Sequence, residues 1–161
     1  MTVYFASKKC IKILFIIIAA VLLIFSVMLA AFFSQNSLYA EYDGIRYNLS
    51  AKNPQEHRKF AAQFGCTLSE YPLMIQKVRI PDEFNSIYRE YNKLQEQIGL
   101  NLYQYAGKKC TLYTYNLENP DYKGKAVFNM LVYNGRVIGG DISSTEYNSF
   151  IKSFKETLDM S

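Results

Sequence analysis

One histidine, three cysteines and fourteen carboxylates are what this chain offers for nucleophilic, metal or acid–base chemistry. A histidine-based triad needs a nucleophile and an orienting acid close by. A zinc site needs several His or Cys ligands. His57, Cys66 and Cys110 are too few and too scattered in the chain to suggest either, so no metal or cofactor is expected. His57 reads as a partly exposed helix residue. Cys66 and Cys110 each begin a predicted strand, and both a disulfide between them and two separate buried thiols are open readings. Paired carboxylates run glycoside hydrolysis. Asp82-Glu83 is better explained by the start of a helix, while Glu118, Asp121 and Asp141 fall near turns or strand ends. Gly139-Gly140-Asp141 lacks the fuller glycine pattern of a phosphate loop, and predicts a bulge or close packing against a helix. The strand tyrosines, with Tyr113 and Tyr115 foremost, together with Arg136 and Asp141 form the candidate binding edge. Cross-strand packing is the commoner use of such tyrosines.

The elements that must position these residues are readable from spacing. Asn53, Pro54 and Glu56 form a helix-start signature, with Phe60, Ala61 and Phe64 on one face and Gly65 as the stop. Residues 66–80 read as extended, interrupted at Pro72, with Met74, Gln76 and Val78 on one face and Ile75, Lys77 and Arg79 on the other. A second helix is predicted over 82–98, on the spacing of Phe84, Ile87, Tyr88, Tyr91, Leu94 and Ile98. A meander of strands follows over 109–117, 125–133 and 136–142, and Asn134-Gly135 is its two-residue hairpin turn. Ser144 is predicted to cap a final helix with Tyr147, Phe150, Ile151, Phe154 and Leu158 as its apolar stripe.

From Ile13 to Phe33 the chain holds no charged residue. A helix of that length spans about 30 Å, the thickness of a bilayer's hydrocarbon core. Lys8, Lys9 and Lys12 flank one end, which the positive-inside bias keeps cytoplasmic. Cys10 then sits at the cytoplasmic membrane edge. A cleaved signal is the alternative, but its apolar core is normally about 7–15 residues. The best downstream cleavage candidate, Leu38-Tyr39-Ala40, begins with a poor small residue. Removing the three flanking lysines from the 18 basic residues leaves 15 against 14 acids. The net charge of +4 therefore speaks of membrane orientation, and a nucleic-acid partner is not expected.

The expected organisation is a basic N-terminus at 1–12, a transmembrane helix at 13–33, a juxtamembrane linker at 34–52 with room for a short extended stretch at Ile45–Leu49, and an extracytoplasmic domain at 53–161. The domain is predicted to be α+β: about four antiparallel strands packed with about three helices on one side, a cystatin-like layer being one such arrangement.

Several segments together resemble the DUF4830 family of Clostridia-like Gram-positive bacteria. They are Asn53 to Phe60, Phe64-Gly65, Val78 to Phe84, Tyr88 to Gln95, Tyr105 to Lys108, Tyr113 to Tyr115 and Leu131 to Asp141. The resemblance covers roughly residues 53–152 and implies a membrane segment followed by one small domain. It supplies no active site. Two departures stand out: Cys66 where such proteins often have Trp, and Ile142-Ser143-Ser144 where a Cys is often found.

The function expected from all this is a membrane-anchored, extracytoplasmic binding or interaction module without catalysis. Its partner is an envelope protein or a small molecule. Two alternatives stand beside it. One is an envelope enzyme using a carboxylate site. The other is a cystatin-style inhibitor presenting the Asn134-Gly135 tip.

Overall fold

The computed structural model describes residues 8–36, 38–119, 125–145 and 150–156. They fall into two units, divided between Ser37 and Leu38.

The first unit is one helix, α1 (Lys8–Asn36). Its described side chains from Phe15 to Leu29 are all exposed. Ser26, the polar residue among them, returns its hydroxyl to the Leu23 carbonyl at 2.7 Å, so it leaves no open donor on the helix surface. Among the described residues, no helix is long and apolar enough to cross a membrane. Phe15 to Leu29 covers roughly 22 Å of helix at 1.5 Å per residue, and the predicted span of 13–33 extends beyond it at both ends.

The second unit begins with a hairpin, β1 (Tyr39–Tyr42) and β2 (Ile45–Asn48). Asp43 (φ 54°) and Gly44 (φ 72°) form its two-residue turn, the left-handed pair that matches the twist of antiparallel strands. The stretch predicted as linker thus carries structure. Tyr47, Leu49 and Ala51 are buried in the core. Helix α2 (Pro54–Ala62) starts as its signature predicts: the Asn53 side chain accepts the Glu56 N–H at 3.0 Å. The Glu56 carboxylate turns back to the Lys52 N–H and the Ser50 hydroxyl. Those bonds hold its carboxyl below the usual range.

Helix α3 (Ser86–Glu96) is shorter than the predicted 82–98. Asn85 takes the cap by accepting the Tyr88 N–H at 2.9 Å, and Asp82 is drawn into an ion pair with Arg79. Its stripe is also rotated. Ile87 is exposed, while Asn92 and Gln95 are buried. Asn92 accepts the Leu102 N–H at the start of a 3-10 turn (Leu102–Tyr105).

Strands β3 (Met74–Arg79), β4 (Lys109–Asn116), β5 (Ala126–Tyr133), β6 (Arg136–Ser144) and β7 (Ile151–Lys152) form an antiparallel sheet in that order. It has five strands where about four were predicted. Cover lies on both faces of the sheet, not on one as a cystatin-like layer requires. On one face, Phe60 of α2 meets Phe128 and Phe154, with Tyr47, Leu49, Tyr115 and Met130 in the same core. On the other, Leu102, Ile138, Leu131 and Cys110 pack with Tyr88 and Tyr91 of α3. Double cover explains why β5 reads as an almost unbroken apolar run rather than an alternation.

The predicted final helix is not formed where the chain is described. Ile151 pairs with Ser143 and Lys152 with Ile142, making β7. Phe154 then stacks on Phe128 at 4.4 Å. Edge pairing to β6 satisfies the backbone and delivers that ring to the core. Tyr147 and Leu158 lie outside the described residues.

Candidate functional site

The antiparallel register sets Thr114, Asn129 and Asp141 side by side on β4, β5 and β6. All three project toward α3. A polar residue there must find partners or lose the hydrogen bonds that water would supply. Thr114 donates to Asn129 Oδ1 at 2.8 Å. Asn129 Nδ2 donates to Asp141 Oδ1 and to Ser143 Oγ, each at 2.9 Å. Tyr91, from α3, donates to Asp141 Oδ2 at 2.8 Å. The amide orientation of Asn129 follows, since the reverse would aim its oxygen at the carboxylate.

Asp141 is only 7% exposed. Burial pushes its carboxyl above the usual carboxylate range, and the bonds from Asn129, Tyr91 and Ser143 offset part of that rise. The Tyr91 hydroxyl is pushed well above the usual tyrosine range, first by burial and then by Asp141's charge. The tyrosine therefore keeps its proton and acts as a donor.

Above this row opens a cleft of about 230 Å³, between α3 and the sheet. Val78, Ile80, Tyr88, Leu112 and Leu131 give apolar walls, Tyr91, Asn129 and Asp141 the polar end, and Arg79, paired with Asp82, also lines it. Ligand pockets for drug-sized molecules usually exceed about 300 Å³. This cleft suits a small ligand, or one end group of a larger one.

Gly139 and Gly140 explain how β6 comes so close to α3. The register shifts between Leu131 and Val132, leaving Ile138 as a bulge. Gln95 of α3 then accepts the Gly140 N–H at 2.8 Å. A Cβ on Gly140 (φ 154°) would lie 2.1 Å from the Asn129 carbonyl and 2.5 Å from the Phe154 ring. The glycine pair is a packing device, as its sequence context predicts.

The structure does not bring the predicted edge residues together. Strands β4 and β6 both lie inside the sheet. Tyr113 and Tyr115 face α2, on the side away from Asp141. Tyr115 is fully buried, with its hydroxyl 2.7 Å from His57 Nδ1, and the Tyr113 ring lies 4.5 Å from the His57 ring. Arg136 is spent on Tyr105, whose hydroxyl it reaches at 3.0 Å. Asp141 reaches the cleft beneath α3, while Tyr113 lines a separate, wider hollow with Lys77, Thr111 and Asn134 on the other face.

His57 is buried, not partly exposed. Its Nε2 faces the Ala51 carbonyl at 3.2 Å, which can only accept, so the proton sits there and Nδ1 accepts from Tyr115. Burial pushes its pKa down. Cys66 and Cys110 form no disulfide. They are buried thiols in the two different cores, with the sheet between them. Among the described residues, no group of three His, Cys, Asp or Glu side chains is placed to hold a metal.

Sequence reasoning passed over Asn129 and placed Tyr91 only in an apolar stripe. The signal for Asn129 was present: it is the one strongly polar residue within the apolar run of β5.

A family model described as a domain of unknown function, DUF4830, matches residues 60–142. No curated protein and no solved structure matches the chain.

Proposed function

The chain belongs to the DUF4830 family, and from its geometry we propose a membrane-anchored, extracytoplasmic, non-catalytic binding module of the cell envelope, whose ligand enters the cleft beneath α3 to reach Asp141. The observation that carries the binding reading is a buried carboxylate at the polar end of an apolar cleft. Apolar walls with an oriented carboxylate, the lining's one cation Arg79 being already paired with Asp82, suit an apolar group bearing a hydrogen-bond donor, such as an amine or alcohol. Both Asp141 oxygens already accept a hydrogen bond, from Asn129 and Tyr91. Those bonds hold the carboxylate in one orientation, which suits a recognition group, and His57 lies on the far face of the sheet. Anchoring rests on the uncharged run from Ile13 to Phe33 and the lysines before it, which orient the N-terminus to the cytoplasm.

The test is titration of the full-length protein in detergent with short primary amines and alcohols, following methyl signals of Val78, Leu112 and Leu131. Shifts at those methyls that Asp141→Asn abolishes support the reading. Shifts elsewhere, or shifts unchanged in the variant, overturn it. For location, protease added outside intact cells should remove the second unit and leave α1 in the membrane fraction. Recovery from the medium of a shortened chain that lacks the N-terminal apolar segment would select release after cleavage instead.

One observation favours a second reading. A carboxyl held above its usual range beside a tyrosine also suits a proton donor. Turnover of any substrate that disappears in Asp141→Asn would select it.

A further inference from the structure

Strand β3 is an edge: it pairs with β4 on one side and with nothing described on the other. Half of its backbone donors and acceptors therefore face outward. The run into this edge is unusually apolar for a surface. Tyr71 is 73% exposed, Leu73 64%, Met74 44% and Ile75 60%. Natural edges are usually blunted by charge, and this one carries Lys77 and Arg79. Both are engaged within their own chain. Lys77 Nζ donates to Thr111 on β4 at 2.7 Å, and Arg79 pairs with Asp82 at 2.9 Å. Neither charge is left to call for an acidic partner, and the lysine leans back over its own sheet.

We propose that this edge joins a second copy of the chain, β3 against β3, antiparallel, with Gln76 opposite its own counterpart. A two-fold axis perpendicular to the sheet keeps each face continuous, so residues of like parity must meet. Centred on Gln76, the pairing sets Met74 opposite Val78 on one face and Ile75 opposite Lys77 on the other. All of Met74 to Val78 is then paired, and no like charges stand opposite each other. Centring on Lys77 would oppose two lysines, which is unfavourable. Centring on Ile75 would leave only residues 74–76 of the strand in register. The residue pattern is thus self-complementary in one alignment, and the two five-stranded sheets become one of ten strands.

The experiment is the protein mass of the full-length chain in detergent by light scattering, with Ile75→Lys and the double variant I75K/K77E. The wild type is expected as a dimer, I75K as a monomer through lysine opposite lysine, and the double variant as a dimer again. Ile75 and Lys77 are exposed, so these changes spare the fold. A monomeric wild type overturns the proposal. So does a dimer that persists in I75K, which would place the contact elsewhere. Register is read by oxidation in a chain carrying Cys10→Ser: Gln76→Cys should cross-link at least several-fold more than Ile75→Cys. Equal yields, or none, overturn the alignment.

Discussion

Gln95 on α3 holds the Gly140 N–H of β6 with its side-chain oxygen at 2.8 Å, while its own Nε2 returns to the Tyr91 carbonyl at 3.0 Å. A polar residue at a core-facing helix position thereby fastens the bulged strand to the helix that carries Tyr91. Replacing it with leucine leaves a buried N–H without a partner, which costs about 1–3 kcal/mol. Urea unfolding of Gln95→Leu should show that loss. A change below about 0.5 kcal/mol would mean that the contact is dispensable.

Gly140→Ala and Gly44→Ala should separate two kinds of glycine. At Gly140 the added methyl collides with backbone and with the Phe154 ring, so overpacking of about 3 kcal/mol is expected. At Gly44 nothing lies within 4 Å, and only the positive φ opposes the change, for about 1–2 kcal/mol. Midpoints from the same denaturant series measure both. Equal losses would contradict the packing account.

His57 and Asp141 should give pH dependences of opposite sign. The folded pKa of His57 lies below its ordinary 6.5, so the unfolded chain binds the proton more readily. Stability is full above about pH 6.5 and is lost as the pH falls through the folded value. Thermal melts of the wild type should weaken over that range, and His57→Gln should flatten the slope.

For Asp141 the folded pKa is raised above its ordinary 3.8. Its contribution is complete below that value and is lost as the pH rises through the folded pKa. Asp141→Asn should remove this slope, visible as a smaller gain in stability on acidification once His57 is also replaced. An unaltered profile would mean that the carboxyl is not held above its usual range.

Cys66 and Cys110 should resist alkylation in the native protein and react together on unfolding, since each is about 4% exposed. Peptide mapping without reductant should find no bridge between them. A Cys66–Cys110 cross-link would contradict their placement on opposite sides of the sheet.

Much of the local structure was legible in the sequence, because local chemistry decides it. Asn53, Pro54 and Glu56 start α2 where their pattern places it, and Asn134-Gly135 closes the β5–β6 hairpin. The same two-residue turn logic applies to Asp43-Gly44, which sits in a stretch too polar and tyrosine-rich to suggest a core element. What was not legible depends on cover. Phe150, Ile151 and Phe154 keep helical spacing, yet an open edge on β6 recruits Ile151 and Lys152 as a strand. Asp141 stood out as a lone acid, but its partners Tyr91 and Asn129 come from an element 50 residues and a strand 12 residues away. Only the fold brings them together.

The tip of the β5–β6 hairpin is tied to the segment before α2. The Ala51 N–H donates to the Gly135 carbonyl and the Val137 N–H to the Leu49 carbonyl, each at 2.8 Å. These ties join stretches that leave the ribosome far apart in time. Residues 49–51 emerge early and wait for residue 137 before their backbone is satisfied. Until then Tyr47 and Leu49, both buried in the finished protein, have no complete core to enter. The part of the second unit synthesised first is among the last to become secure, so a truncated chain ending before the Asn134-Gly135 turn should present that hairpin to proteases and chaperones.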